Sequence, residues 1–290
     1  MHHHHQDRSG SDRILYWQYN ADYTATSMVS IRSDGSGSTV LDPGTPVGAF
    51  DYSPHWDATG RYVTFFRVLP GSNGEESGSD LWRMRADGSH ARQITHLGDV
   101  ENPVSSPDGR LIAFEREVSV GETSEHDIWL VDTDGGHLRN LTRTPDISDI
   151  WPRWTASGHR LAYSTEASPG GSYDIVLDNL HGRTTAVAAD PGANEIVATF
   201  SPNNQQVAYT RIADGSRGIY RARVGGNRQP QLVVPGGAYA DWSADGRRLA
   251  VVIREDAGSS LVAVRPDGSH RRTLVAGAEA LYEPDWLPRR

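Results

Sequence analysis

The chain has 290 residues, 37% of them hydrophobic, with 30 Gly, 16 Pro and no Cys. So many turn formers argue against a helix-rich enzyme, and a thiol-free chain has no disulfides, thiolate metal sites or cysteine nucleophile. The formal net charge of -9 argues against general nucleic-acid affinity, which needs a basic surface, and no apolar run approaches the roughly 18 residues of a membrane-spanning helix.

His2 to His5 followed by Gln6 to Ser11 read as a tag and linker, so residues 1–11 are set apart, and a leader replaced there would leave no trace. The first predicted strands are Arg13 to Trp17, Met28 to Ile31 and Ser38 to Leu41. A longer unit then begins with an aromatic strand ending at Trp56 and recurs at intervals of about 42 to 49 residues. The slot of Trp56 is filled in turn by Ser105, Trp154, Phe200, Trp242 and Trp286.

Each full unit predicts four short strands. The aromatic strand enters an Asp-Gly-type turn such as Asp108-Gly109, where Gly tolerates positive φ and Asp bonds its own backbone. An alternating strand follows, for example Leu111-Ile112-Ala113-Phe114. A variable loop leads to a third strand, Asp80-Leu81-Trp82 or Asp127-Ile128-Trp129. A second turn, at Asp34-Gly35, Asp87-Gly88, Asp134-Gly135 and Asp267-Gly268, precedes a fourth strand such as Asn140-Leu141-Thr142; in two units it has drifted to His181-Gly182 and Gly225-Gly226. The N-terminal unit lacks its first strand, and Pro284-Asp285-Trp286 supplies a lone one. The two ends therefore complete one blade. The expected fold is all-β, a six-bladed propeller over residues 12–290 with four antiparallel strands per blade. Such closure removes exposed sheet edges.

Ser106-Pro107-Asp108-Gly109-Arg110 through Phe114, with Asp127-Ile128-Trp129 and Asn140-Leu141-Thr142, resembles the repeat of TolB-type six-bladed propellers, related to the propeller domains of prolyl-oligopeptidase and dipeptidyl-peptidase enzymes. The resemblance spans nearly the whole chain and speaks to fold rather than chemistry. It implies a periplasmic or extracellular protein that binds a protein partner.

The slot aromatics are expected to pack between blades and the turn aspartates to hold turns. Acids one to five residues before the slot, Asp51, Glu101, Asp149, Glu195, Asp241, Glu283 and Asp285, are expected to converge on one mouth of the channel as a negative funnel. Asp51, Glu101, Asp149 and Glu195 are the candidate oxygen ligands for Ca²⁺ there. Tyr19, Tyr23, His55, His126, Trp151 and Tyr173 are candidate contacts around it, and the segments 18–27, 67–79 and 116–126 read as long loops of the same mouth.

No G-x-S-x-G, H-E-x-x-H, Walker A or G-x-G-x-x-G motif occurs. The expected function is non-catalytic binding of a protein or peptide, a basic one suiting the acids, by a monomer without nucleic-acid binding or membrane insertion. The alternatives are a propeller-type lyase or hydrolase acting on carbohydrate or peptide at that mouth, and a sensor module of a larger membrane protein.

Overall fold

Alternating apolar residues bounded by Asp-Gly turns form strands throughout, and no helix occurs among the described residues. The computed structural model describes residues 12–71, 76–120, 123–226, 229–255 and 258–288; the predicted tag and linker lie outside the described residues. Blade 1 combines β1 (Arg13–Tyr19), β2 (Thr26–Arg32) and β3 (Thr39–Leu41) with the last strand of the chain. Blade 2 holds β4 (Phe50–Trp56), β5 (Tyr62–Pro70), β6 (Glu76–Arg85) and β7 (Arg92–Gln93). Blade 3 holds β8 (Val100–Ser105), β9 (Leu111–Val120), β10 (Thr123–Asp132) and β11 (Arg139–Asn140). Blade 4 holds β12 (Asp149–Trp154), β13 (Leu161–Glu166), β14 (Tyr173–Asp178) and β15 (Thr184–Ala188). Blade 5 holds β16 (Asn194–Phe200), β17 (Gln206–Ala213), β18 (Ser216–Arg223) and β19 (Gln231–Pro235). Blade 6 holds β20 (Gly237–Trp242), β21 (Leu249–Glu255), β22 (Gly258–Val264) and β23 (Arg272–Ala278), and β24 (Leu281–Trp286) returns to blade 1.

The expected closure is present: β24 pairs antiparallel with β1, Ile14 opposite Trp286 and Leu15 opposite Asp285. The core is divided among the seams between blades. Trp56 joins Leu15 and Met28 between blades 1 and 2, and Trp286 joins Ile14 and Ala250 between blades 1 and 6. Ser105 leaves its seam without a slot aromatic, and there Phe66, Ile112 and Phe114 fill the wedge instead. The second turn also serves a seam. A Cβ on Gly135 would lie 2.7 Å from the Ile94 carbonyl of the preceding blade, and one on Gly268 2.7 Å from that of Val233. With φ of 97° and 84°, both positions favour glycine on two grounds.

An aspartate within the third strand ties that strand to the fourth. Asp127 accepts hydrogen bonds from Asn140 Nδ2 at 2.6 Å and Thr142 Oγ1 at 3.1 Å, while Asp80 accepts from Gln93 Nε2 at 3.1 Å and Thr95 Oγ1 at 2.9 Å. Asp127 is buried, and Asp127→Ala would leave these donors unpaired. The expected cost is about 1–3 kcal/mol, measured by urea unfolding, with the slope against urea unchanged.

Much of two predicted loops is strand, while residues 72–75 and 121–122 within them lie outside the described residues. β5 continues to Pro70 with β6 starting at Glu76, and β9 pairs with β10 out to Val120 opposite Thr123. Backbone pairing carries both hairpins outward, Val68 lying opposite Ser79 and Val118 opposite Glu125. The remaining one, between Tyr19 and Thr26, is a loop as expected.

Candidate functional site

The first strand of every blade lines the axis, and in five blades it carries the same bulge. At Ser53-Pro54, Asn102-Pro103, Trp151-Pro152, Val197-Ala198 and Glu283-Pro284 two residues oppose one on the neighbouring strand. Four of these pairs end in Pro, which suits a bulge because the extra residue needs no ladder donor. The first residue of each pair has φ between 42° and 57°, a conformation that costs non-glycine residues about 1–2 kcal/mol. The bulge resets the side-chain alternation, so facing depends on position relative to it.

That reset separates the seven predicted acids, which the structure does not gather at one mouth. Five residues before the slot, side chains are buried away from the channel. Asp51 accepts hydrogen bonds from Arg67 Nε at 2.6 Å and Nη2 at 2.9 Å. Asp149 is fully buried with Thr144 Oγ1 donating to it, and burial raises its pKa. Glu195 borders a separate cleft of about 490 Å³ with Tyr209 and Arg211, and burial pushes its pKa up to about 7. Four residues before the slot, Glu101 is exposed and lies opposite Glu115 of β9. Three before it, Glu283 is buried and accepts from Trp17 Nε1 at 3.3 Å. Only Asp241 and Asp285, one residue before the slot, share a cavity. The quartet considered for Ca²⁺ is thus dispersed, and among the described residues no group of three or more His, Asp or Glu side chains is arranged to hold a metal.

The two ends of the channel differ. At the end reached by the connections between second and third strands, an aromatic network runs across blades. Tyr23 of the first loop packs at 5.2 Å on Tyr19, which meets Tyr52 at 6.2 Å and Tyr282 at 6.1 Å between ring centroids. Tyr282 stacks on Trp17 at 4.1 Å and contacts Tyr239 at 6.0 Å. Tyr239 in turn meets Trp151, from a blade that is not its neighbour, at 5.9 Å across the axis. Arg254 lies over the Tyr282 ring at 4.5 Å. Below this network Glu115 is buried, accepting from Asn102 Nδ2 at 2.8 Å and the Trp151 backbone N–H at 2.6 Å. Burial raises its pKa to about 8, and the charges of Glu101 and Glu283 push it the same way.

Of the predicted contacts, Tyr19, Tyr23 and Trp151 join this network. His126 lies within β10, its backbone N–H donating to Ser148 Oγ at 3.2 Å, and Tyr173 opens β14 near Glu166. His55 belongs to the opposite end. The network members Tyr52, Tyr239 and Tyr282 escaped the sequence reading, although Tyr52 and Tyr282 occupy equivalent positions four residues before the slot. That shared column is the sequence signal for Tyr52 and Tyr282, whereas Tyr239, three residues before its slot, shares a column only with the aromatic Trp151.

At the end of the first-to-second-strand turns, the residues one before the slot converge from all six blades on a cavity of about 430 Å³. Asp241 accepts from Thr199 Oγ1 at 2.6 Å and from the Trp286 backbone N–H at 2.7 Å. Asp285 accepts from the Trp56 backbone N–H at 2.6 Å and faces His55 Nδ1 at 3.3 Å. Burial raises the pKa of Asp241 and the adjacent Asp285 raises it further. Each aspartate therefore clamps the next blade's innermost strand while turning a carboxylate toward the channel.

No family model matches the chain, and no curated protein matches it. Solved structures do. TolB from Acinetobacter baumannii superposes with a TM-score of 0.79 at 18% identity, over 96% of this chain and 67% of that one. A chain from Agrobacterium tumefaciens provisionally assigned to TolB gives 0.69 at 18% identity, over 97% of this chain and 100% of that one. A puromycin-hydrolysing peptidase of Mycobacterium tuberculosis gives 0.58 at 12% identity, over 91% of this chain but 45% of its own. At such identities what is shared is architecture: part of the peptidase chain resembles this one in architecture, and this chain has the six-bladed propeller fold of TolB.

Proposed function

We propose that the protein is a non-catalytic binding propeller that captures a protein segment at the channel mouth carrying the aromatic network. The observation behind this reading is the run of rings from Tyr23, 52% exposed, through Tyr19 and Tyr282 to Tyr239. Tyr19, Tyr239 and Tyr282 stand half-buried behind Tyr23, and Tyr and Trp, apolar with a polar tip, dominate the energetics of protein interfaces. The sheets hold Tyr19, Tyr239 and Tyr282 with little entropy left to lose on binding, and Tyr23 extends that surface from the first loop. The net charge of -9 and the exposed Glu101 favour a basic segment by steering its approach. The TolB-like fold supports a periplasmic or extracellular setting for such a partner.

A photo-crosslinking residue placed at position 23, with position 110, an exposed turn position on the opposite face, as control, tests the assignment. The expected result is a partner adduct from position 23 alone, whose binding to the purified protein weakens at least tenfold in Tyr23→Ala combined with Tyr19→Ala, as loss of an interface hot spot would cause. Equal adducts from both faces, or unchanged affinity in the double variant, would discard this mouth.

A further inference from the structure

We propose that the opposite end of the channel is a binding site for a short zwitterionic peptide, its ammonium group held by Asp285, Asp241 and His55 and its carboxylate by Arg153. Propeller geometry segregates the charges. Asp285 belongs to blade 1 and Arg153 to blade 4, so they face each other across a six-bladed ring, and Asp241 and His55 flank Asp285 on blades 6 and 2. Val104 and Thr199 stand on either side of Arg153. A ligand with separated opposite charges is the complement of such a cavity.

Two groups in this cavity have unused capacity. His55 is 6% exposed and lines the cavity, yet its Nε2 has no hydrogen-bond partner among the described residues. A buried ring nitrogen left unpaired is costly and asks for a ligand. Its Nδ1 faces Asp285 Oδ1 at 3.3 Å, which favours the Nδ1–H tautomer and leaves the Nε2 lone pair to accept from an ammonium N–H. Arg153 gives one N–H to the Pro152 carbonyl at 3.0 Å, and its charge favours the ionised form of Asp241 across the cavity. Its remaining donors suit a carboxylate.

Size and lining set the rest of the ligand. The volume of about 430 Å³ lies in the range of small-molecule sites, roughly 300–1,000 Å³. The rim is small and apolar, formed by Ala58, Pro107, Ala156, Pro202, Ala244 and Pro288, and so receives short aliphatic side chains. None of the rings of the aromatic network lines this cavity, so this site stands independently of the protein-binding reading.

Calorimetry and ligand-observed NMR with the tripeptide Ala-Ala-Ala, its N-acetyl form and its C-terminal amide test the proposal on the intact protein. The free tripeptide is expected to bind, and blocking either end should weaken it at least tenfold, since each block removes a charge-assisted hydrogen bond. In Arg153→Gln the free acid and the amide should bind alike while the N-acetyl form stays weaker; Tyr23→Ala should bind the tripeptide as the parent does. Equal binding of blocked and free tripeptides by the parent protein, or no binding of Ala-Ala-Ala up to about 5 mM, would overturn the assignment without bearing on the aromatic mouth.

Discussion

Ending the chain after Ala280 is expected to abolish cooperative folding, although it removes a single strand. β24 is the innermost strand of blade 1 and the only one contributed from the far end of the chain. Without it the six-membered ring opens and β1 becomes an edge. The loss includes Leu281 and Trp286, 0% and 4% exposed, each worth about 2–5 kcal/mol when truncated in a core. Seam hydrogen bonds go with them: Trp286 Nε1 to Asp12 Oδ1 at 2.9 Å, the Trp286 N–H to Asp241 at 2.7 Å and the Leu287 N–H to the Arg13 carbonyl at 2.9 Å. Asp285, which clamps blade 2 through the Trp56 N–H, is lost too. Together these exceed what remains to a domain of ordinary stability, about 5–15 kcal/mol, and the exposed edge invites association. The expected result is a broad, featureless melt by near-ultraviolet circular dichroism and aggregates on size exclusion, with the synthetic segment 281–288 restoring a cooperative transition in trans. A cooperative melt within a few degrees of the full chain would mean that the ring does not depend on its closure.

This dependence was legible in the sequence because it rests on repetition. The missing first strand at Arg13 and the surplus one at Trp286 could be matched by inspection, and the turn aspartates behaved as Asp-Gly chemistry requires, Asp87 Oδ1 accepting the Ser89 N–H at 3.0 Å and Asp267 Oδ1 that of Ser269 at 2.9 Å. The site was less legible, for a local reason. Acids at Asp51, Glu283 and Asp285 look alike in a window before the slot, but the bulge at Glu283-Pro284 and its counterparts turn them to different surroundings. Asp51 meets Arg67 directly across the strand pair, a pairing that depends on register rather than composition. Glu115 was invisible for a further reason: it sits on a second strand, among residues whose alternation marks them as core, and only the adjacent Asn102 and Trp151 backbone explain its presence.

Glu115 also makes the second large prediction, a stability profile that falls with rising pH. Its pKa is about 8 in the folded protein against an ordinary 4.5. Between those values the folded state holds a proton that the unfolded chain has released. The contribution is fully present below about pH 4.5, declines as pH rises and is gone above about pH 8; the gap corresponds to on the order of 4–5 kcal/mol. Asp149, Asp241 and Glu195, also raised by burial, slope the same way, so the parent profile alone does not isolate Glu115. Glu115→Gln does, because its amide oxygen still accepts from Asn102 and Trp151 but carries no titrating proton. Near pH 4.5 the variant should melt within a few degrees of the parent. At pH 9 it should melt higher, by on the order of 10 °C for a chain of this size. Parallel melting curves for parent and variant from pH 5 to 9 would show that the carboxyl does not titrate in that window and that the polar cluster beneath the aromatic mouth carries its charge without penalty.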